Sequence, residues 1–137
     1  MHPEKLLVVV DIQKEYIADG RPFRIKSIEP SLKKAKIVLD FARKEGWRIC
    51  HVRHLQDGAI FNPSSEYSGF VPGFEPRHDG LSQESEIHKN NYSCYSSAEF
   101  AAAMKESAAQ GQEVIVIGYG STLCCISTLI DGSHRGH

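Results

Sequence analysis

Three reactive side chains, a carboxylate, an amine and a thiol, each lie at or just past the end of a strand-like run of the sequence. Asp11 ends the run LLVVVD, Lys89 closes EIHK, and Cys124 lies just past EVIVIG. Taken alone, Asp11 could cap a turn, Lys89 could be a surface charge, and Cys124 could be buried packing. In open parallel α/β sheets, however, ligands bind outside the carboxyl ends of the strands. We therefore expect these three side chains to meet at one edge of a sheet and form a functional site.

A thiol beside an amine and a carboxylate is suited to nucleophilic attack on a carbonyl carbon. A cysteine thiol has an ordinary pKa of about 8.5, and its thiolate is the nucleophile. A helix N-terminus and the Lys89 ammonium would favour the anion at Cys124, and Asp11 would accept the proton. Attack creates an oxyanion, for which backbone N–H groups of the surrounding loop are natural donors. The sequence therefore predicts an activated nucleophile at Cys124.

The order of the predicted elements indicates how these residues are positioned. The stretch 55–85 is rich in Gly, Pro, Ser and Asn and predicts a long loop, which in a compact domain is usually functional or mobile. The other elements alternate between strand and helix, which predicts a three-layer α/β/α, doubly wound, mostly parallel sheet. The expected strands are 6–11, 47–54, 86–89 and 113–118. The expected helices are 31–45 with Pro30 in its first turn and Gly46 at its end, one from a capping box at Ser96 and Glu99 to Gly111, and 122–135.

Composition narrows the class of protein. The 137 residues suffice for one domain, and 41% hydrophobic with 24% charged residues is ordinary for a globular chain. The net charge of -1 offers no basic surface for nucleic acid or an anionic membrane. The longest apolar run near the start is too short to span a bilayer, and no signal-peptide cleavage pattern follows it. The four cysteines form no CxxC pair, so we expect free thiols and a cytoplasmic location.

Two other kinds of site fit the sequence less well. GYGSTL resembles a phosphate-binding G-x-G-x-x-G turn, but Leu123 stands where the third glycine should be, so we expect no dinucleotide cofactor. His51, His54 and Asp57 suggest a metal site, but they lack Asp-x-His spacing, and packing or loop roles fit better; we expect no metal. Arg53 and His54, at the end of the second strand, either reach a substrate carboxylate or lie at the surface.

Longer motifs around the three reactive residues resemble the isochorismatase-like cysteine hydrolase superfamily, which includes nicotinamidases, carbamoylsarcosine amidohydrolases and ureidoacrylate amidohydrolases. VVVDIQKEY resembles the family's Asp-x-Gln opening, with Asp11 and Gln13. KNNYSCYSS resembles the stretch that begins with the family's lysine, here Lys89. GYGSTLCC resembles the nucleophile loop Gly-x-x-Thr-x-x-Cys-Val and places Cys124 at the nucleophile and Cys125 at the valine. TLIDGSHRGH resembles the end of the following helix, so the likeness covers essentially the whole chain.

The resemblance implies roles for individual residues. Asp11, Lys89 and Cys124 would form the catalytic triad, and the backbone N–H groups of Gly120 and Cys124 would form the oxyanion hole. A non-proline cis peptide bond is expected between Tyr119 and Gly120. Cys125 would pack inward, because neighbouring positions of a helix or strand point in different directions. The candidate substrate contacts are Gln13, Tyr16, Arg53 and Tyr119.

The resemblance also implies an activity and an assembly. The expected activity is hydrolysis of a small amide or ureido C–N bond through a thioester at Cys124, without a cofactor. Two alternatives remain: an inactive, truncated relative that acts by association, and an isochorismate-type vinyl-ether hydrolase, although those enzymes often lack the cysteine. Family members usually continue past the nucleophile helix with further strands, so we expect 1–137 to be a single, C-terminally incomplete domain. Either a homo-oligomer or the tail of a longer native chain would cover the exposed fourth strand and last helix.

Overall fold

Four parallel strands form a central sheet in the order β3-β2-β1-β4. The protein is represented by a computed structural model that describes residues 4–137, so the first three residues of the expected domain lie outside the described part. The strands are β1 (Lys5–Val10), β2 (Arg48–His54), β3 (Gln83–Lys89) and β4 (Glu113–Gly118). The helices are α1 (Glu29–Lys44), α2 (Ala98–Ala109) and α3 (Ile126–His134). The predicted parallel α/β sheet is therefore confirmed.

The central strand β1 is buried on both faces, as its continuous run of β-branched and leucine residues predicts. Alternate residues of β1 pack on one face with Phe100 and Met104 of α2 and on the other with Leu39 and Ala42 of α1. Cys124, two residues before the start of α3, belongs to the same cluster as Phe100. The helices thus cover both faces of the sheet, which confirms the predicted three layers.

Helix α1 begins and ends close to the predicted residues. Pro30 lies in its first turn, where the missing N–H leaves no helical hydrogen bond unmade. Gly46 follows the helix with a φ of +71°, the left-handed conformation that commonly stops a helix. The turn chemistry therefore predicted this element well.

Several element boundaries differ from the expected ones, among them the start of α3, which lies at Ile126 rather than at residue 122. Strand β3 begins at Gln83 rather than at residue 86, because Gln83 to Ser85 pair with β2 although they are mostly polar. Helix α2 is capped by Ser97, whose hydroxyl accepts a hydrogen bond of 3.3 Å from the Phe100 N–H, so the expected cap at Ser96 is wrong by one residue. Ser96 instead ends a short 3-10 turn that precedes the cap.

A buried ion pair holds part of the long loop against the chain that follows β1. The Glu15 carboxylate accepts hydrogen bonds of 2.7 Å from Arg21 Nε and from the Phe61 N–H. Burial alone would raise the pKa of Glu15, but these hydrogen bonds outweigh it and lower the pKa. Arg21 also donates to the carbonyl of Ala59 at 2.7 Å. These hydrogen bonds therefore hold the segment around Phe61 beside the carboxyl end of β1.

Strand β4 occupies one edge of the sheet, and its outer side pairs with no other strand of residues 4–137. The adjacent helix α3 and the turn that precedes it carry exposed apolar side chains. Leu123 is 44% exposed, Ile126 46%, Leu129 55% and Ile130 50%. The exposed surface formed by β4 and these four residues is called the β4–α3 surface below.

None of the helices in residues 4–137 has both the length and the apolar character that a membrane span requires.

A substitution at Gly118 tests how closely β4 approaches β1. Gly118 has a φ of +142°, and a Cβ there would overlap the Val10 carbonyl oxygen. We expect Gly118→Ala to reduce the free energy of unfolding by at least about 3 kcal/mol, because backbone strain and a backbone clash add together. The measurement is urea denaturation.

Gly111→Ala is the matched control for this prediction. Gly111 also has a positive φ, of +67°, but a Cβ there has nothing within 4 Å. Gly111→Ala should reduce the free energy of unfolding by only about 1 kcal/mol, because it adds backbone strain without a steric clash. Equal losses in the two variants would contradict the close approach of Gly118 to Val10.

Candidate active site

The structure brings Asp11, Lys89 and Cys124 together at the carboxyl edge of the sheet. Lys89 Nζ lies 3.2 Å from Asp11 Oδ2 and 3.3 Å from Cys124 Sγ. All three residues are nearly inaccessible, with exposed fractions of 0%, 3% and 6%. A buried ammonium is stable only with compensating partners, so this contact is a strong constraint on the site.

The backbone at Asp11 turns sharply as β1 ends. Its N–H still donates to the Val52 carbonyl at 3.0 Å, but its φ is +54°. Aspartate is among the few residue types that adopt this left-handed conformation without large strain. Burial raises the pKa of Asp11, and the positive charge of Lys89 opposes that rise without cancelling it. Asp11 is therefore a better proton acceptor than an ordinary aspartate.

Cys124 lies in a π-helical turn, Ser121–Cys125, that the helical pattern alone did not predict. The turn follows Gly120, whose φ of +74° is left-handed and whose carbonyl accepts N–H bonds from Leu123 and Cys125 at 2.9 and 3.1 Å. The Tyr119–Gly120 peptide bond is trans, so the expected cis bond is wrong; the left-handed φ of Gly120 accomplishes the turn instead.

The expectation of a stabilised thiolate is also wrong for the resting site. Burial raises the pKa of Cys124 to about 12, the negative charge of Asp11 adds to the rise, and Lys89 opposes it. The helix terminus and one lysine do not outweigh burial plus a neighbouring carboxylate. Burial and the neighbouring carboxylate therefore favour the protonated thiol at Cys124 in the resting state.

His54, the last residue of β2, lies at the site, whereas the sequence left it between a substrate contact and a surface position. Its Nδ1 lies 2.9 Å from Lys89 Nζ and its Nε2 lies 2.7 Å from Gln56 Oε1. A signal was available, since His54 ends a strand just as Asp11 and Lys89 do. Adjacent strand residues point to opposite faces of a sheet, so Arg53 and His54 cannot both face Lys89, and His54 is the one that does.

A small cleft opens next to Cys124. Its volume is about 160 Å³, which is below the usual range for drug-sized ligands. Gly120 lies at the cleft, and a Cβ there would lie 3.5 Å from Cys124 Sγ. Apolar and aromatic side chains form most of the wall, together with the polar groups of His54 and Gln56. The wall includes Tyr16, Phe23, Ile60, Phe61, Tyr92 and Leu123.

Of the four expected substrate contacts, Tyr16 lines the cleft and the other three point elsewhere. Gln13 is fully buried, and its side-chain amide makes three hydrogen bonds to main-chain atoms, so it braces the loop. The Arg53 guanidinium contacts Glu86 at 3.4 Å on the opposite face of β2. The Tyr119 hydroxyl is hydrogen-bonded to Ser31 Oγ at 2.7 Å. None of these three side chains is among those that line the cleft, so their contact with a substrate stays a prediction.

The remaining cysteine and histidine candidates have structural surroundings. His51 is fully buried and lies 2.7 Å from Glu84 through its Nε2, which confirms a packing role. Cys125 is partly buried against the core, with Sγ 3.5 Å from the Tyr119 carbonyl oxygen, as expected for a valine-like position. Within residues 4–137, no group of three or more His, Cys, Asp or Glu side chains could hold a metal ion.

The fold and site together define an α/β protein with an aspartate, a lysine and a cysteine at the carboxyl edge of a parallel sheet. The family model described as "Isochorismatase domain" matches residues 5–137. The chain therefore belongs to the isochorismatase family of hydrolases, and the resemblance seen in the sequence is confirmed.

Solved structures support the same assignment. An isochorismatase from Pseudomonas putida KT2440 is 28% identical with a TM-score of 0.84; the alignment covers 100% of this chain and 69% of that one. A cysteine hydrolase from Pseudomonas syringae pv. phaseolicola 1448A is 21% identical, with a TM-score of 0.83 and coverage of 100% and 70%. The N-carbamoylsarcosine amidase from Thermoplasma acidophilum is 22% identical, with a TM-score of 0.76 and coverage of 98% and 78%. A search of the curated proteins found no match.

The electrostatics of the site give a prediction for thiol reactivity. Because the charge of Asp11 helps to raise the pKa of Cys124, Asp11→Asn should lower that pKa. At a fixed neutral pH, iodoacetamide should then alkylate Cys124 faster than in the wild type. Lys89→Met should act in the opposite direction, because it removes the opposing positive charge. The measurement is the rate of modification of the Cys124 peptide by mass spectrometry.

Two comparisons control this measurement. In the wild type, Cys124 should react before Cys50 and Cys94, which are buried in the core, and before Cys125, which does not line the cleft. Cys124→Ala should remove the fast reaction and leave the others. Slower alkylation in Asp11→Asn would contradict the assigned direction of the Asp11 effect.

Proposed function

We propose that this chain is a cysteine hydrolase that cleaves a small amide or ureido C–N bond through a thioester at Cys124. The observation that carries the proposal is the contact of one buried ammonium, Lys89, with both a thiol and a carboxylate beside a small cleft. Each partner supplies one requirement of acyl transfer: a nucleophile, a proton acceptor and a fixed positive charge.

The first step transfers a proton from Cys124 to Asp11 as the sulfur attacks the substrate carbonyl carbon. Burial raises the pKa of both groups, so the proton moves between two acceptors that are each stronger than usual. The net charge of site and substrate does not change, because the negative charge moves from the carboxylate by way of the sulfur to the carbonyl oxygen of the substrate. Lys89 Nζ lies within 3.3 Å of both Asp11 Oδ2 and Cys124 Sγ and stabilises the charge at each of these two positions.

The next steps expel the amine and release the acid. The tetrahedral oxyanion would be stabilised by the backbone N–H groups of Gly120 and Cys124. As the C–N bond breaks, Asp11 returns its proton to the leaving nitrogen, and a thioester to Cys124 remains. Asp11 then takes a proton from water, whose oxygen attacks the thioester carbon. Collapse of that intermediate releases the carboxylic or carbamic acid, and the sulfur is protonated again.

The cleft favours a small, uncharged substrate. Neither arginine nor lysine is among the residues that line it, and its walls are mostly aromatic or aliphatic. A substrate with several carboxylates, such as a vinyl-ether diacid, would place its charges against apolar walls without a cationic partner. The cleft therefore favours amide hydrolysis over the vinyl-ether alternative, and Tyr16 is the proposed substrate contact.

An activity screen over small neutral amides and ureides tests the proposal. Cys124→Ala should abolish turnover, because it removes the nucleophile, and should lower the thermal midpoint modestly, because it also removes one buried partner of Lys89. Cys125→Ala is the matched control and should keep activity while losing roughly 1 kcal/mol of stability. Acyl-enzyme mass on the Cys124 peptide after rapid acid quench would report the thioester. A folded wild type that is inactive on every substrate, with an unreactive Cys124, would instead favour the non-enzymatic alternative.

We also propose that the β4–α3 surface is covered by a second copy of the chain. The four exposed apolar residues of α3 and its preceding turn lie beside an unpaired strand edge, and large apolar patches usually mark interfaces.

The oligomeric state tests this second proposal. Light scattering on the 137-residue chain should give a dimer or larger assembly, and Leu129→Lys with Ile130→Lys should dissociate it. Ile37→Lys, at a residue that is 68% exposed on α1, is the matched control and should leave the assembly intact. A monodisperse monomer would contradict the proposed interface.

A further inference from the structure

We infer that His54 is a positioning residue that directs one N–H bond of the Lys89 ammonium toward the Cys124 thiol. The inference deepens the proposed function, because it rests on Cys124 as the nucleophile. It assigns to His54 neither proton transfer nor contact with the reacting atoms.

The geometry around Lys89 Nζ supports this role. An ammonium has three N–H bonds, and Lys89 has three hydrogen-bond acceptors: the Asn91 carbonyl at 2.8 Å, His54 Nδ1 at 2.9 Å and Cys124 Sγ at 3.3 Å. Asp11 lies 3.2 Å away as an ion pair, but its carboxylate oxygens accept no directed hydrogen bond from the described residues. Two neutral acceptors therefore fix two N–H bonds, and the third is directed at sulfur.

The imidazole of His54 is itself held in one orientation and one tautomer. Lys89 can only donate, so Nδ1 accepts, and the ring proton must lie on Nε2. Nε2 then donates to Gln56 Oε1, which lies 2.7 Å away. The Phe61 ring meets the imidazole edge to face at 5.2 Å. The fixed imidazole ring of His54 thus presents the lone pair of Nδ1 to the ammonium.

Loss of this acceptor would redirect Lys89. The nearest acceptor without a directed hydrogen bond is the Asp11 carboxylate, which already lies 3.2 Å from Nζ, and its charge attracts the ammonium more strongly than a neutral acceptor does. Lys89 would turn toward Asp11, fix the negative charge there and leave the sulfur without its N–H donor. The thiolate of Cys124 would then form less readily.

The rate of iodoacetamide alkylation at Cys124 measures this effect without any substrate. We expect His54→Leu to slow alkylation at neutral pH by about tenfold or more, since a hydrogen bond to a charged group contributes at least a factor of that size. His54→Asn should restore most of the rate, because its side-chain oxygen can accept near the position of Nδ1. This rescue separates the acceptor role from simple filling of space.

His51→Leu is the matched control. His51 lies on the same strand, is fully buried and faces the other side of the sheet, so its replacement should reduce stability without slowing alkylation. Thermal unfolding of all variants would show that each is folded at the assay temperature. If His54→Leu does not fold, Gln56→Leu provides the second test, because it frees the His54 ring and should slow alkylation by several-fold.

A double-mutant cycle gives the sharpest test. In Asp11→Asn there is no carboxylate to attract Lys89, so His54→Leu should have less than half of its logarithmic effect in that background. Equal effects in both backgrounds, or an unchanged rate in His54→Leu, would overturn the inference. A wild-type Cys124 that reacts no faster than Cys125 would instead count against the proposed nucleophile, so the two failures are distinguishable.

Discussion

One buried positive charge, the ammonium of Lys89, constrains the rest of the site. Its side chain is inaccessible to water, so the free energy lost on desolvation must be recovered from neighbours. The neighbours are a carboxylate, a thiol, an imidazole and a carbonyl oxygen, and they come from four separate segments of the chain. Removal of any one partner weakens the compensation of a charge that cannot reach solvent. The charge on Lys89 can therefore be maintained only while the strand ends hold these neighbours in place.

The sheet satisfies this constraint through its topology. The strands that carry Asp11 and His54 are neighbours, and Lys89 ends the next strand outward, directly paired in register with His54. Cys124 reaches the same place from the other side of β1, because Gly118 allows β4 to approach Val10 closely and Gly120 reverses the chain. Parallel pairing puts all the carboxyl ends at one edge, so four segments can surround a single ammonium.

The sequence predicted the parts of the site that depend on strand ends and missed those that depend on orientation. Asp11, Lys89 and Cys124 were found because the carboxyl ends of parallel strands must share an edge. Arg53 is an expected substrate contact, yet His54 is the residue that faces the site. A strand pattern shows that neighbouring residues alternate between the two faces of the sheet, but not which face the site occupies. The ionisation of Cys124 was misjudged for a similar reason: sequence shows a lysine and a helix start, but not the burial that outweighs them.

Boundaries and turn geometry were predictable only where residue chemistry marks them. Pro30 and Gly46 delimit α1 as expected, since their backbone preferences act locally. The π-helical turn at Ser121–Cys125 has no such marker, because it depends on an i→i+5 hydrogen bond from Cys125 to Gly120 within a tertiary setting. That turn matters chemically, since it places the thiol against Lys89 instead of in the regular first turn of α3.

The β4–α3 surface is linked to this turn. Leu123 both lines the cleft and contributes to the exposed apolar surface, one residue before Cys124. Any polypeptide that covers α3 would therefore border the mouth of the cleft and reduce the access of water to Cys124. Exclusion of water would strengthen the interaction of Lys89 with any negative charge that forms at the sulfur. The proposed interface and the proposed nucleophile would thus be connected through one side chain, Leu123.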